Sequence, residues 1–203
     1  MFTHYRTESI ILKKIDRGEA DQLLVAYTKE FGRVEIVARS VRKAASKLRP
    51  AVEFAAVVEL EFIQGKTCKT LTDAVILIPL KQLRQDARKW EDAYRFVGLA
   101  EALIKDQQED PAVWDLIDAA LVAIDAADDK NGDAIYHHYV WHLFTTLGWR
   151  PEFGQQSAGI ESRSLVDFFR DSGIERSSKM RLTECQNEAL KEVARKYLEL
   201  VTK

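Results

Sequence analysis

The chain has 203 residues, 46 % apolar and 31 % charged, with 30 Lys and Arg against 32 Asp and Glu for a formal net charge of −2. That is enough for one large domain or two small ones with a real core, and the absence of any apolar run near the roughly 20 residues a bilayer requires excludes a helical membrane span. Two solitary cysteines, Cys68 and Cys185, exclude a disulfide framework and fit a reducing cytoplasm, and the N-terminal MFTHYRTESIILKKID lacks the basic-then-apolar pattern of a secretion signal.

Up to Ile78 the chain reads as strands. SIILKKI (9–15) and QLLVAY (22–27) are short runs rich in branched residues. In RVEIVA (33–38), Val34, Ile36 and Ala38 alternate with Arg33, Glu35 and Val37. FAAVVELEFI (54–63) and CKTLTDAVILI (68–78) follow, and Gly18, Gly32 and Gly65 mark the turns. Five strands in so short a segment suit a small closed sheet, an OB-type barrel first and an SH3-like barrel second. Tyr5, Tyr27, Phe31, Phe54 and Phe62 lie in or beside the strands, mostly as core, with Phe31 in a turn the one expected to be exposed.

Between the third and fourth strands lies ARSVRKAASKLRP (38–50), with Arg39, Arg42, Lys43, Lys47 and Arg49 and no acidic residue. Ser40, Ala44, Ala45 and Ser46 are small, so a mobile, unobstructed loop is expected. Such a loop on a barrel is a candidate phosphate-backbone contact, joined by Arg33 on the third strand; a solvated face is the plain alternative. Residues 1–78 carry 13 basic and 10 acidic side chains, the remainder 17 and 22, so the strand half is mildly basic and the rest acidic.

Pro79 marks a change of period. From Leu83, apolar residues recur at Ala87, Trp90, Tyr94, Val97 and Ile104 on helical spacing. Asp110–Pro111 is an N-cap and first-turn pair for a helix burying Val113, Leu116, Ile117, Leu121 and Ile124. A third helix is expected over 134–147, ending at Gly148, a short one over 165–170, and a last one opened by the capping-box pair Thr183 and Gln186. The fold class is therefore α+β: a barrel domain over 1–78, then an all-α domain over 79–203.

Within the third helix, His138 and His142 are four apart on one face, as two metal ligands can be, but no third ligand accompanies them. DAADDKNGD (125–133) is no calcium loop, because with Asp129 as its first ligand the glycine and glutamate positions hold Ala134 and Val140. No phosphate-binding glycine loop or nucleophile elbow occurs, so nothing argues for an enzyme or a cofactor.

In order and spacing, GEAD (18–21), a strand ending at Thr28, FGR (31–33), VAR (37–39), the basic Ser-Lys-Leu-Arg loop, KTLTDAVIL (69–77) and LGW (147–149) resemble the RecO family of bacterial recombination mediators. The resemblance covers 1–78 well and 79–150 loosely. It implies an N-terminal OB fold, a helical C-terminal domain and a non-enzymatic role in recombinational repair, near the nucleoid and away from membranes. It further implies binding to single- and double-stranded DNA, strand annealing, cooperation with RecR, and docking of the acidic C-terminal tail of single-stranded DNA-binding protein. Many family members carry a cysteine zinc module after the LGW position; PEFGQQSAG (151–159) has no cysteine, so no zinc is expected. For the tail, the candidate residues are Arg88, Arg95, His137, His138 and Tyr139, beside an apolar stripe continued by Leu143 and Leu147. If the histidines supplied the charge, docking would tighten as pH falls through about 6.5; arginine would leave it flat. The competing readings are an RNA-binding or scaffolding barrel and a metal-dependent nucleic-acid enzyme.

Overall fold

Five strands form in the first 78 residues, and one of them is long enough to close the sheet on itself. In the computed structural model, which describes residues 3–105, 108–128, 131–149 and 160–201, β1 runs over His4–Arg17, β2 over Asp21–Thr28, β3 over Gly32–Ala38, β4 over Val57–Gln64 and β5 over Lys69–Ile78. The first half of β1 pairs antiparallel with β4 and the second half with β2. Between Ile11 and Lys13 the register shifts, and there Ile11 N–H donates to the Ala56 carbonyl. A bulge at that point bends the strand from one partner to the other. The order β1-β2-β3-β5-β4 closes the barrel, with β3 and β5 parallel at Ile36 and Val37 against Lys69 and Thr70. This is the OB arrangement expected from the sequence.

Alternation fills the interior with Ile11, Leu24, Ala26, Val34, Ile36, Val58, Leu60 and Phe62. Val41, Leu48, Ala51 and Val52, which lie in the basic loop and the 3-10 turn Arg49–Val52 that ends it, join the same core. Tyr5 and Phe31 pack against it at the opposite end.

Among the described residues seven helices follow: α1 Lys81–Gln85, α2 Ala87–Leu103, α3 Pro111–Ala126, α4 Gly132–Thr146, α5 Ile160–Asp171, α6 Ile174–Ser177 and α7 Glu184–Val201. The single helix expected from Leu83 is broken at Asp86, whose Oδ1 accepts from the N–H groups of Arg88 and Lys89 at 2.8 and 3.2 Å and so caps α2. Asp110 caps α3 in the same way, and Thr183 and Gln186 make the reciprocal bonds of a capping box. Helix α4 is central: Ile135, Tyr139, Trp141, Leu143 and Phe144 are all buried, and α5, α6 and α7 pack against it. A helix with buried residues on every side belongs inside its unit.

The chain divides into two compact units. One comprises Met1–Lys81 with Val97–Trp114, and the other Gln82–Phe96 with Asp115–Lys203. The expected cut after Ile78 is thus not where the contacts divide: a segment from the end of α2 to the start of α3 goes with the barrel. Among the described residues, no helix is long and apolar enough to cross a membrane.

Candidate nucleic-acid interface

The basic loop leaves β3 at Ala38 and is stitched to the barrel at several points. Ser40 adopts a left-handed backbone (φ 54°) and donates its N–H to Asp21 Oδ1 at 2.7 Å. Val41 then turns inward, 1 % exposed, and Arg42 N–H reaches the Ala20 carbonyl. The Arg42 guanidinium donates to the Gly18 carbonyl at 3.2 Å and lies 3.3 Å from Asp16 Oδ2. Turns follow from Lys43 to Ser40 and from Ser46 to Lys43, before the 3-10 turn seats Ala51 and Val52. The loop expected to move freely is pinned by its own apolar residues, because Val41 and Leu48 carry aliphatic surface that the barrel end buries.

That pinning sorts the cations. Arg42 is held by Asp16. Elsewhere on the barrel unit Arg6 faces Glu59, Lys13 faces Glu101, Lys14 faces Glu53 and Lys29 faces Glu8. Arg39, Lys43, Lys47 and Arg49 are all exposed, and none has a carboxylate partner among the described residues. Arg17, beside the Gly18 carbonyl that Arg42 grips, is likewise exposed with no such partner. It escapes a search for charge runs because it belongs to another segment of the chain.

Arg33 is different. It is half-buried, donates to the Glu101 and Ile104 carbonyls at 3.1 Å each, and lies 3.5 Å from Glu101 Oε1. It satisfies the carbonyls at the end of α2.

In the helical unit, the five side chains expected to meet a peptide do not come together. His137, His138 and Tyr139 are 0 %, 4 % and 0 % exposed. His137 Nε2 bonds Asn187 Oδ1 at 2.8 Å, and Asn187 in turn donates to Asp133 Oδ2. Burial pushes His137 down to about 4 despite that bond, and burial with the neighbouring His142 pushes His138 to about 4 as well. Neutral and enclosed, they offer a peptide no charge. Tyr139 packs on Phe96 inside the core. The His138 and His142 rings, tilted 37° to each other, bond Ser177 and the Ser172 carbonyl, and among the described residues no three His, Cys, Asp or Glu side chains converge as a metal site. The cysteine-free stretch 151–159 lies outside the described residues.

Arg88 and Arg95 do share a site. They line a cleft of about 540 Å³ with Asp92, Asp133, Arg181 and Leu182. Arg95 bridges Asp92 and Asp133 at 3.0 and 3.2 Å and lies over the Tyr136 ring. Gly132 makes this possible, because a Cβ there would collide with the Asp92 carboxylate. Burial raises the Asp92 carboxyl above its usual range, although Arg95 opposes the shift. Arg88 and Arg181 are exposed at the rim without carboxylate partners among the described residues. Arg181 carries no signal in the sequence; only the fold brings it beside Arg88.

Residues 1–79 match the family model described as Recombination protein O N terminal. The chain is similar to the DNA repair protein RecO of Roseiflexus sp., 30 % identical over 154 residues, covering 76 % of this chain and 53 % of the relative. It is similar to that of Syntrophobacter fumaroxidans at 26 % over 160 residues, 79 % of this chain and 62 % of the relative. For the RecO of Moorella thermoacetica the figures are 31 % over 120 residues, 59 % and 45 %. The chain thus spans between 45 % and 62 % of the length of these curated relatives. The likeness to RecO is borne out by the family model over 1–79 and by the relatives over about three quarters of the chain.

Proposed function

We infer that this chain, a relative of the RecO DNA-repair proteins, serves recombinational repair by holding DNA through its phosphate backbone, with no chemistry of its own. One observation carries the reading: cations over much of the barrel unit are matched to carboxylates, while Arg39, Lys43, Lys47 and Arg49, together on a pinned loop, have no carboxylate partner among the described residues. Unneutralised arginines and lysines on a fixed support contact phosphates at little entropic cost and read no base sequence. Both single and double strands fit such a surface, and screening of the charge on two strands at once is what annealing requires. The partners that go with this role are RecR and the acidic tail of single-stranded DNA-binding protein. The Arg88–Arg181 rim with Leu182 suits a carboxylate beside an apolar terminal side chain. Because arginine carries the charge there, tail affinity stays nearly flat from pH 6 to 8.

The test is a labelled single strand titrated across a salt series, with RNA as competitor. Four neutralised phosphates give a log–log slope of about −2.8 and a loss of about fiftyfold between 50 and 200 mM salt. Changing Arg39, Lys43, Lys47 and Arg49 together to Glu abolishes that slope for every sequence alike. Arg42→Ala, which removes a paired cation, leaves it nearly unchanged. Unaltered binding in the quadruple variant would reduce the loop to a solvated face.

A further inference from the structure

We propose that the end of the barrel remote from the basic loop holds an unstacked nucleobase of a single strand, seated against Tyr5 and Phe31 with its phosphate on Lys69. The proposal rests on the nucleic-acid reading above and adds a second site to it. Tyr5, paired with Phe62, stands near the start of β1, and Arg17, beside the turn that Arg42 grips, ends it, so the two sites lie at opposite ends of one strand.

A cleft of about 540 Å³ opens at this end, a volume suited to a small planar group. Its wall is aromatic. Tyr5 stacks on Phe62 with centroids 5.4 Å apart and planes 19° apart, and Phe31 stands edge-on to both at 5.5 and 6.0 Å. Phe62 is sealed at 1 % exposure, whereas Tyr5 and Phe31 are half-exposed and border the cleft. Phe31 is fixed in place: its N–H donates to Thr28 Oγ1, which itself donates to the Gly32 carbonyl. Rings held rigid with part of their surface uncovered are what base stacking uses, and it tolerates any sequence.

Lys69 is the cation among the residues lining the cleft. It is half-buried, with no carboxylate partner within ion-pair distance among the described residues, although Glu30 and Glu109 line the cleft too. Glu30 is engaged by the Thr7 hydroxyl. A half-buried cation without an ion-pair partner is stabilised by an incoming anion, and Lys66, exposed on the turn before β5, adds positive charge close to it in the chain. Gln64, Gln108 and Glu109 on the rim can hydrogen-bond a base edge.

The experiment uses the full chain with single strands carrying 5-iodouracil at successive positions, irradiated, with the crosslinked peptide read by mass spectrometry. Crosslinks at Tyr5 or Phe31 are expected. Phe31→Leu, which keeps aliphatic bulk, and Lys69→Gln should each weaken single-strand binding, the former roughly tenfold. Duplex affinity stays unchanged because a stacked base cannot enter. Thermal unfolding of both variants separates lost binding from lost fold, and Lys69→Gln, which removes no core group, keeps the test alive if Phe31→Leu unfolds. Crosslinks confined to residues 39–49, with single-strand affinity unchanged in both variants, overturn the site while leaving the phosphate reading intact. No binding of any strand by the unmodified chain at low salt sinks that reading first, and the site with it.

Discussion

His137 shows how one buried side chain ties the stability of the helical unit to pH. In the unfolded chain it titrates near its ordinary 6.5, whereas burial holds it at about 4 in the fold. Between those values the unfolded state binds more protons, so stability is fully present above pH 6.5, falls as pH drops towards 4, and levels below that. The loss for His137 approaches about 3 kcal/mol at the acid end. His138 acts in the same direction, because its ring is buried against His142. Urea unfolding followed on helical signal at pH 7.5 and 5 should show the midpoint falling, and an unchanged midpoint would mean these rings are open to water. Arg33 gives the second prediction at this scale. Arg33→Ala strips the partner from two carbonyls and from Glu101, and should destabilise the barrel unit by about 1–3 kcal/mol while leaving the salt slope of DNA binding as it was. A parallel fall in slope would instead return Arg33 to the DNA surface.

Among the elements, those with strong local signals were legible beforehand. The alternation of Val34, Ile36 and Ala38 places them in the barrel core, and Thr183 with Gln186 opens α7 by bonds of 3.0 and 3.2 Å. Thr183→Ala should therefore cost about 1 kcal/mol in thermal or urea unfolding, with binding untouched. Two elements read less well, for physical reasons. The stretch from Leu83 keeps one helical period across Asp86, and only the capping bonds reveal the break, since an aspartate inside a helix and one at its start look alike in a string. In α4 the polar letters of HHYVWH suggest a wet face, yet tertiary packing covers all sides and supplies Asn187, Ser177 and the Ser172 carbonyl from distant positions. The basic loop shows both outcomes. Its charge was visible in composition, but its rigidity comes from Val41 and Leu48, two apolar residues spaced too irregularly to register as an element.

At the scale of the whole molecule, the change of period at Pro79 and the boundary of the barrel unit are different things. Period records where strands give way to helices; the unit is set by which side chains satisfy one another. Val97–Trp114 is helical or irregular in sequence but supplies the barrel with what its strands lack. Glu101 and Ile104 present the carbonyls that Arg33 fills, Glu101 faces Lys13, and the Tyr27 hydroxyl donates to the Asp110 carbonyl at 3.3 Å. Tyr27 is buried, with its hydroxyl pushed up to about 12, so losing that acceptor would leave a polar group stranded in the core. A fragment ending at Ile78 therefore keeps every strand and loses these partners, while one ending at Trp114 keeps both. The longer fragment should unfold at the higher urea concentration, by several kcal/mol in total once the exposed apolar surface is included. Both should retain the slope of about −2.8 wherever they are folded, because the unmatched cations of 39–49 are common to them. Equal midpoints would show that 97–114 merely follows the barrel in the chain. A shorter fragment that binds with a different salt slope would show that these residues shape the DNA surface as well as support it.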